Sequence, residues 1–392
     1  MTVLMRRVRA VFWFFLYLPA ALALSAFGFR LIRLTHPERI GHLVGEVDCL
    51  MKEAQLGHAP AYRGVLLAPS DRVANRHIVE YWTRYLTVVR SPLLCRLLQP
   101  LDRYRFARYR EDISRYFSAM GRTALFNTVY SEWGERPPLL ELSAVDRERG
   151  EAVLCQLGLP PAARFVCFHS RGAGYSPSDE HLHSYRNADV ETYLPAVAAL
   201  REEGLYAFRM GDPSMRRMPA AEGVIDYAHS PHRSEWMDVF LCARCEFFLG
   251  SSSGLFLIST AFGRPSALAN LVPMSTALSG GPRELGIPKL LRLEKEQRFL
   301  RFSEVFATAV ADYRFSEQYH AAGIGTPDNE PEDIKALALE MLGRVRGTIR
   351  YDSEDRARQA RFRALFRPGH YGYGSTASIG RDFLRRHARL LD

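Results

Sequence analysis

Apolar residues recur along this chain in two rhythms. Short apolar runs bounded by Gly, Pro, Asn or Asp alternate with longer stretches whose apolar residues lie three and four apart. The first is a strand signal and the second a helix signal. In the first half, a short strand is expected from Glu38 into Gly41-His42-Leu43, followed by a helix to about Gln55. Residues 64–68 read as a second strand bounded by Pro69-Ser70-Asp71, residues 75–85 as a helix, and 87–89 as a β-branched strand. Residues 91–135 are mixed and aromatic-rich, and no order of elements follows from them. In the second half, 145–157 reads as a polar helix and Pro160-Pro161 as a linker. Strands are then expected at 165–168, 205–210, 223–226, 246–249 and 266–269, with helices at 190–201, 234–244 and 330–342. The chain closes on helical segments interrupted by Gly and Tyr at 369–374. Strand alternating with helix predicts an α/β fold with parallel sheets. The expected division is 1–36 as an apolar lead, 37–160 and 161–345 as two α/β domains, and 346–392 as an Arg-rich helical tail.

One stretch carries most of the chemistry. Phe247-Phe248-Leu249-Gly250-Ser251-Ser252-Ser253-Gly254 runs from a buried strand into a turn of small residues, and Leu255 to Phe262 then reads as an apolar helix before Gly263-Arg264-Pro265. Small residues at a helix start let a ligand approach backbone N–H groups that have no intrahelical partner, where the helix dipole favours an anion. Upstream, Phe165-Val166-Cys167-Phe168-His169-Ser170-Arg171-Gly172 is a second apolar strand, ending in His, Arg and Gly. Two such strand ends in one α/β domain point to a cradle for a nucleotide diphosphate.

These residues also resemble a known family. Arg39-Ile40-Gly41-His42-Leu43, Cys167-Phe168-His169-Ser170-Arg171, the run His183 to Leu194, Arg209-Met210-Gly211, Asp226-Tyr227-Ala228, the block Leu241 to Asn270, Ile287-Pro288-Lys289 and Gly380-Arg381-Asp382-Phe383-Leu384 are similar to bacterial glycosyltransferases encoded with surface-polysaccharide genes. The matching pieces span residues 37–392. The resemblance implies the GT-B arrangement, two Rossmann-like domains facing a cleft, with the nucleotide on the second and a terminal helix crossing back to the first. It does not define the sugar.

Charge and cysteine usage narrow the classes. The chain has 52 Lys+Arg against 43 Asp+Glu, a net charge of +9, and Arg outnumbers Lys throughout. Nucleic acid, anionic lipid and a diphosphate substrate all fit such a balance. No zinc finger, RNA-recognition signature or basic heptad region is present, so nucleic acid is not expected as a partner. Cys49, Cys95, Cys155, Cys167, Cys242 and Cys245 are scattered, several in apolar runs, which fits a reducing compartment. Cys242-x-x-Cys245 has redox or zinc spacing, but nothing in the sequence completes it, and no metal ligand set is expected.

Residues 10–29 contain no charge, and their length suits the ~20 residues of a spanning helix. Arg6, Arg7 and Arg9 precede them, Arg30 and Arg33 follow, and Pro19 lies between. A cleaved signal would export the domain away from cytoplasmic donors. A span with a cytoplasmic carboxyl domain would leave the leading arginines outside, against the positive-inside tendency. The favoured expectation is a membrane-associated helix in one leaflet at the cytoplasmic face of the bacterial inner membrane. A full span or a buried helix of the first domain stays open, and the tail arginines offer either lipid attraction or a solvated face.

Several residue types suit the expected transfer. Arg171 ends a strand where its fork can grip a diphosphate, with a surface ion pair as the plainer role. His169 either hydrogen-bonds the donor or orients its loop. Ser251, Ser252, Ser253 and Gly254 offer hydroxyls, N–H groups and close approach, or a helix cap. Arg186 can reach phosphate or acceptor, Met210 and Gly211 bracket the base, and Lys289 adds charge. In the first domain His42 is the expected base for the acceptor hydroxyl, an imidazole's ordinary pKa near ~6.5 suiting that task, with Asp71 as second choice. Both also suit capping or turn roles. Together these give a metal-independent glycosyltransferase with no cofactor, using a nucleotide-sugar donor and a surface-polysaccharide or lipid-linked saccharide acceptor at the membrane surface. Gly250-x-Ser252-x-Gly254 also fits the nucleophile elbow of an α/β-hydrolase, with Asp312, His320, Asp328 and His370 as the later residues available to it, none of them in a strand-end loop. A non-catalytic nucleotide-sugar-binding protein, or a GT-B-shaped epimerase or pyruvyl transferase, completes the alternatives.

Overall fold

In the computed structural model the described residues are 3–58, 62–108, 113–117, 123–172 and 180–391, with side chains from Trp13 onward. Arg6, Arg7 and Arg9 therefore lie outside the described side chains. Two units are present, Met1–Ser118 and Ala119–Asp392.

The first unit runs α1 (Val3–Ala26), β1 (Phe29–Arg33), α2 (Ile40–Gln55), β2 (Arg63–Leu67), α3 (Arg76–Tyr81), β3 (Thr87–Val89) and α4 (Pro92–Leu98). Its three strands, among the described residues, pair in parallel in the order β1-β2-β3. Two expectations change here. The apolar lead ends in a strand, because Leu31 and Ile32 are fully or nearly buried and pair with Val65 and Leu66. The stretch Glu38 to Leu43 is not a strand: a turn leads into α2 at Ile40. Leu43, Val44, Val47, Leu50 and Met51 are buried at helical spacing, and that face sets the local structure. Asn75 caps α3, its side chain accepting from Ile78 N–H at 2.9 Å. Among the described residues, no helix is long and apolar enough to cross a membrane.

The second unit starts with α5 (Leu125–Trp133) and α6 (Ala144–Gln156), then β4 (Phe165–His169), α7 (Glu180–His183), α8 (Leu194–Glu202), β5 (Tyr206–Arg209), β6 (Val224–Ile225), α9 (Glu235–Arg244), β7 (Phe248–Gly250), α10 (Phe256–Ala261), β8 (Ser266–Leu271) and β9 (Glu284–Pro288). There follow β10 (Arg292–Leu293), β11 (Arg298–Phe299), α11 (Phe302–Phe306), α12 (Ser316–Ala321), β12 (Ile324–Gly325), α13 (Pro331–Arg346), α14 (Ser353–Ala364), β13 (Ser378–Ile379) and α15 (Arg381–Arg386). β10, β11 and β12 make a small antiparallel sheet. Among the described residues the main sheet has seven parallel strands in the order β13-β9-β8-β7-β4-β5-β6. Phe165, Val166, Cys167 and Phe168 are fully buried, as strands covered on both faces must be.

The division between units falls earlier than the Pro160-Pro161 junction, because α5 and α6 pack on the second unit. Asn127 on α5 donates to the Tyr371 carbonyl at 2.6 Å and accepts from Gly280 N–H at 2.7 Å. A Cβ on Gly150 of α6 would meet the Phe240 ring of α9 at 2.2 Å. The C-terminal residues, expected to cross back, build the second unit: β13 pairs with β9, and Phe362 of α14 packs in the unit's core. The tail arginines answer local acceptors. Arg363 donates to the Ser375 and Ala377 carbonyls, Arg385 pairs with Asp355 at 2.7 Å, and Arg386 pairs with Asp333 at 2.7 Å.

Gly250 sets how closely β7 approaches β4. A Cβ there would sit 2.4 Å from the His169 carbonyl oxygen, a backbone atom that cannot swing away. Gly250→Ala is expected to lower stability by about 1–3 kcal/mol, read as a lower urea midpoint. Gly172→Ala, whose Cβ meets nothing among the described residues within 4 Å, should leave that midpoint unchanged.

Candidate functional site

The main sheet has a topological switch point. From β4 the chain winds outward through β5 and β6, then returns to place β7 on the other side of β4 and continues to β8 and β9. Crevices outside the carboxyl ends of strands at such points are where open α/β sheets bind ligands. Here the crevice is flanked by the ends of β4 and β7, paired at His169 and Gly250. Ser251 N–H donates to the His169 carbonyl at 3.0 Å, and Arg171 N–H donates to Ser251 Oγ at 3.0 Å. These bonds lock the Arg171 loop to the serine turn.

The serines do not cap the helix. α10 begins at Phe256 with Leu255 at its N-cap and no side-chain cap bond, so the hydroxyls are released from that role. Arg186, in the turn at Ser184–Arg186, donates through Nη2 to the Ser252 carbonyl and, at 3.4 Å, to Ser252 Oγ. Ser253 Oγ is buried without a hydrogen-bond partner among the described residues. No carboxylate among the described residues pairs with Arg171, whose field reaches His169 and Tyr185. The edge thus gathers two guanidinium groups and three serines, one of them with an orphaned hydroxyl.

His169 is buried, and burial lowers its pKa to about 4, partly offset by its bond to the Met210 carbonyl and deepened by Arg209 and Arg171. Nδ1 lies 3.0 Å from that carbonyl oxygen, which only accepts. The proton is therefore on Nδ1, and Nε2 is left as an acceptor. Gly211 follows Met210 with φ of 142°, and a Cβ there would lie 2.2 Å from Met215 Sδ. Arg233, which sequence reasoning missed, donates through Nε to the Gly211 carbonyl at 3.0 Å and brings a third guanidinium to this end of the sheet.

Lys289 follows β9 but has no donor left over. Its ammonium meets Asn187 O at 2.7 Å, Asp328 Oδ1 at 2.8 Å and Thr326 O at 3.2 Å, and burial lowers its pKa. It braces the loop after Arg186 instead of adding free charge. Asp189 caps the following turn, accepting from Glu191 N–H at 3.0 Å. Among the described residues the hydrolase constellation is not assembled. Ser252 meets Arg186, while Asp328 is held by Lys289 and His370 accepts from Arg367 N–H and lies against Phe306 and Phe366. Cys242 and Cys245 are buried beside Cys167, and among the described residues no group of three or more His, Cys, Asp or Glu is placed to hold a metal ion.

In the first unit, His42 sits in the first turn of α2, after β1. Its Nδ1 lies 2.6 Å from Glu46 Oε1, and Glu46 is fully buried. A carboxylate accepts, so Nδ1 carries the proton and Nε2 holds the free lone pair. Glu46 was legible only through its i,i+4 spacing from His42, a signal that vanishes when the segment is read as a strand. Asp71 is exposed in the turn after β2. The two loops adjoin: Ala74 N–H donates to the Pro37 carbonyl at 2.8 Å.

No protein-family model and no curated protein matches the chain. Among solved structures, the ADP-heptose LPS heptosyltransferase II of E. coli is similar at 12% identity and a TM-score of 0.37, over 60% of this chain and 83% of that one. A glycosyl transferase family 9 protein of Veillonella parvula is similar at 12% identity and a TM-score of 0.37, over 61% and 79%. The iron-containing dodecameric glycosyltransferase TibC of enterotoxigenic E. coli is similar at 16% identity and a TM-score of 0.33, over 61% of this chain and 57% of TibC. All three likenesses are remote.

Asp238 on α9 lies behind this edge. Burial raises its pKa to about 6, against the lowering effect of a hydrogen bond from Tyr227. An acid whose folded pKa is raised stabilises the fold below its unfolded pKa and loses that contribution as pH rises through the folded value. His169 works the opposite way, its contribution intact above about 6.5 and lost as pH falls towards about 4. Asp238→Asn is therefore expected to raise stability by roughly 1–3 kcal/mol at pH 8 and to change little at pH 4, measured by urea unfolding at both values.

Proposed function

We propose that the chain is a glycosyltransferase that takes a sugar from a nucleotide-sugar donor and passes it to a surface-polysaccharide or lipid-linked saccharide. The observation that carries this reading is the convergence of Arg171, the serine turn and Arg186 on the switch point between β4 and β7. A diphosphate leaving group gathers negative charge as the glycosidic bond to it breaks, and pre-placed guanidinium and N–H donors stabilise that charge without a metal. In this reading Arg171 grips the diphosphate and Ser253 Oγ gives it a hydrogen bond. Arg186, which bonds Ser252, holds the turn in shape. His169 has only an acceptor to offer, so it meets a donor hydroxyl and not a phosphate oxygen. Met210 and Gly211 border the nucleoside. His42, with Glu46 holding its tautomer, takes the proton from the acceptor hydroxyl, and Asp71 is the second candidate for that role.

The test is a thermal-shift panel of UDP-, GDP-, ADP-, CMP- and dTDP-sugars on the full chain. A ligand of the native state must raise the melting temperature, by about 2.7 kcal/mol of added stability at a hundred times its Kd. One nucleotide class should stabilise the wild type, and Arg171→Ala should abolish the shift. A folded wild type that responds to none of them would overturn the reading. With the donor identified, His42→Ala should lower kcat by about 10²- to 10⁴-fold while the nucleotide-induced shift persists. Glu46→Gln should lower kcat in the same sense, measured as release of nucleoside diphosphate.

A further inference from the structure

Large apolar side chains are normally sparse on a protein surface, and a contiguous group of them marks a contact. The first unit carries such a group. One flank of α1 is committed to the unit: Ala21 is fully buried, and Tyr17, Leu18 and Leu24 pack against a cluster containing Leu31, Val65 and Leu101. The helix and the turn after it also expose Trp13, Phe14, Phe15, Leu16, Leu22 and Phe27, of which Phe15, Leu16 and Leu22 point away from the committed flank, with Phe15 at 63% and Phe27 at 72%. α4 repeats the arrangement. Its Cys95 is buried in the same cluster, while Leu93, Leu94 and Leu97 are at least half exposed. The short helix Gln99–Arg103 packs against both α1 and α4. The ring of Tyr104, just after it, lies tilted against Phe14 with centroids 4.8 Å apart and against Phe106 at 5.6 Å, and Phe106 is itself exposed.

We propose that the outward faces of α1 and α4 form one docking surface for an anionic lipid bilayer, with α1 lying in the plane of the interface. Charge decides the occupant. Residues 13–33 and 91–108 contain six arginines and one carboxylate, Asp102, which lies 3.6 Å from Arg33. Arg33, Arg96, Arg103 and Arg105 are exposed. A second copy docking face to face would set these arginines against their own kind, since an isologous contact pairs a patch with itself. A leaflet of anionic headgroups offers the complementary charge, with acyl chains beneath for the leucines and aromatic rings. Packing decides the orientation. A helix with one flank held by protein cannot be surrounded by lipid, and the exposed Trp13 is of the type that settles at the headgroup level. The surface belongs to the first unit, so it stands or falls separately from the nucleotide reading.

The test is co-flotation of the full chain with vesicles of equal parts phosphatidylglycerol and phosphatidylcholine, and with phosphatidylcholine alone. Wild type should float with the anionic vesicles, less so as salt is raised. The triple variant Leu93→Gln/Leu94→Gln/Leu97→Gln should bind at least about tenfold more weakly. Arg96→Gln/Arg103→Gln/Arg105→Gln should lose the preference for anionic vesicles. Brominated lipid should quench tryptophan emission in wild type and quench it less in Trp13→Phe, a readout that does not depend on the leucine variant folding. Wild type failing to float, or a folded leucine variant floating unchanged, would overturn the proposal. So would leucine-dependent dimerisation without vesicle binding.

Discussion

The close approach of β4 and β7 at their carboxyl ends is the constraint on which the site depends. Gly250 has no side chain, so the His169 carbonyl can lie against it and accept the Ser251 N–H. That one contact fixes where the serine turn leaves the sheet. The turn in turn captures the Arg171 backbone, and Arg186 closes over it from the next loop. Because the serines precede α10 without capping it, their polar groups stay directed at the strand ends. The positive charge of the edge comes from its guanidinium groups, and the backbone geometry decides where they stand.

Behind that edge, several of the residues that carried the family resemblance form paired supports. Arg209 is almost fully buried and donates to Asp226 at 3.0 Å and to the Arg216 carbonyl, joining two of the resembling pieces in one ion pair. Removing one member of such a pair leaves a buried charge uncompensated. Asn270 and Asn329 exchange hydrogen bonds reciprocally between side chain and backbone, at 2.6 and 2.7 Å. Lys289 ties the loop after Arg186 to Asp328. A run that carries a resemblance can therefore mark a brace, and candidate ligand-facing residues must be sought among what remains unpaired.

Much of the fold was legible because β4, β5 and β7 are short apolar runs with turn residues after them, the form that a strand buried on both faces must take. The rest was hidden for identifiable reasons. β1 merges into the apolar run of α1, so its start leaves no polar mark. β9 carries Glu284 and Gly286, which interrupt the apolar pattern, although Glu284 is buried and accepts from Gly281 N–H at 2.7 Å. β13 spans two residues, Ser378 and Ile379, too few for any period to show. In the site, His169, Arg171, Met210, Gly211 and the serines were placed by their positions at strand ends. Glu46 was not, because reading its segment as a strand hid its i,i+4 spacing from His42, and Arg233 was not, because only the fold brings it to the Gly211 carbonyl. The role expected of Lys289 failed for the same reason, its three acceptors being remote in sequence.

Asn127 joins Gly280 to Tyr371 through the two ends of one amide. The Gly280 segment is fastened again by Ser375 Oγ to its carbonyl and by Gly372 N–H to Ser275, so three remote stretches of chain meet at one place. Loop-closure entropy must be overcome before contacts of that separation return anything. The second unit is therefore closed at this place by contacts of long sequence separation. Losing the Asn127 amide would unfasten two of those stretches at once, leaving the meeting place to Ser375 and Gly372.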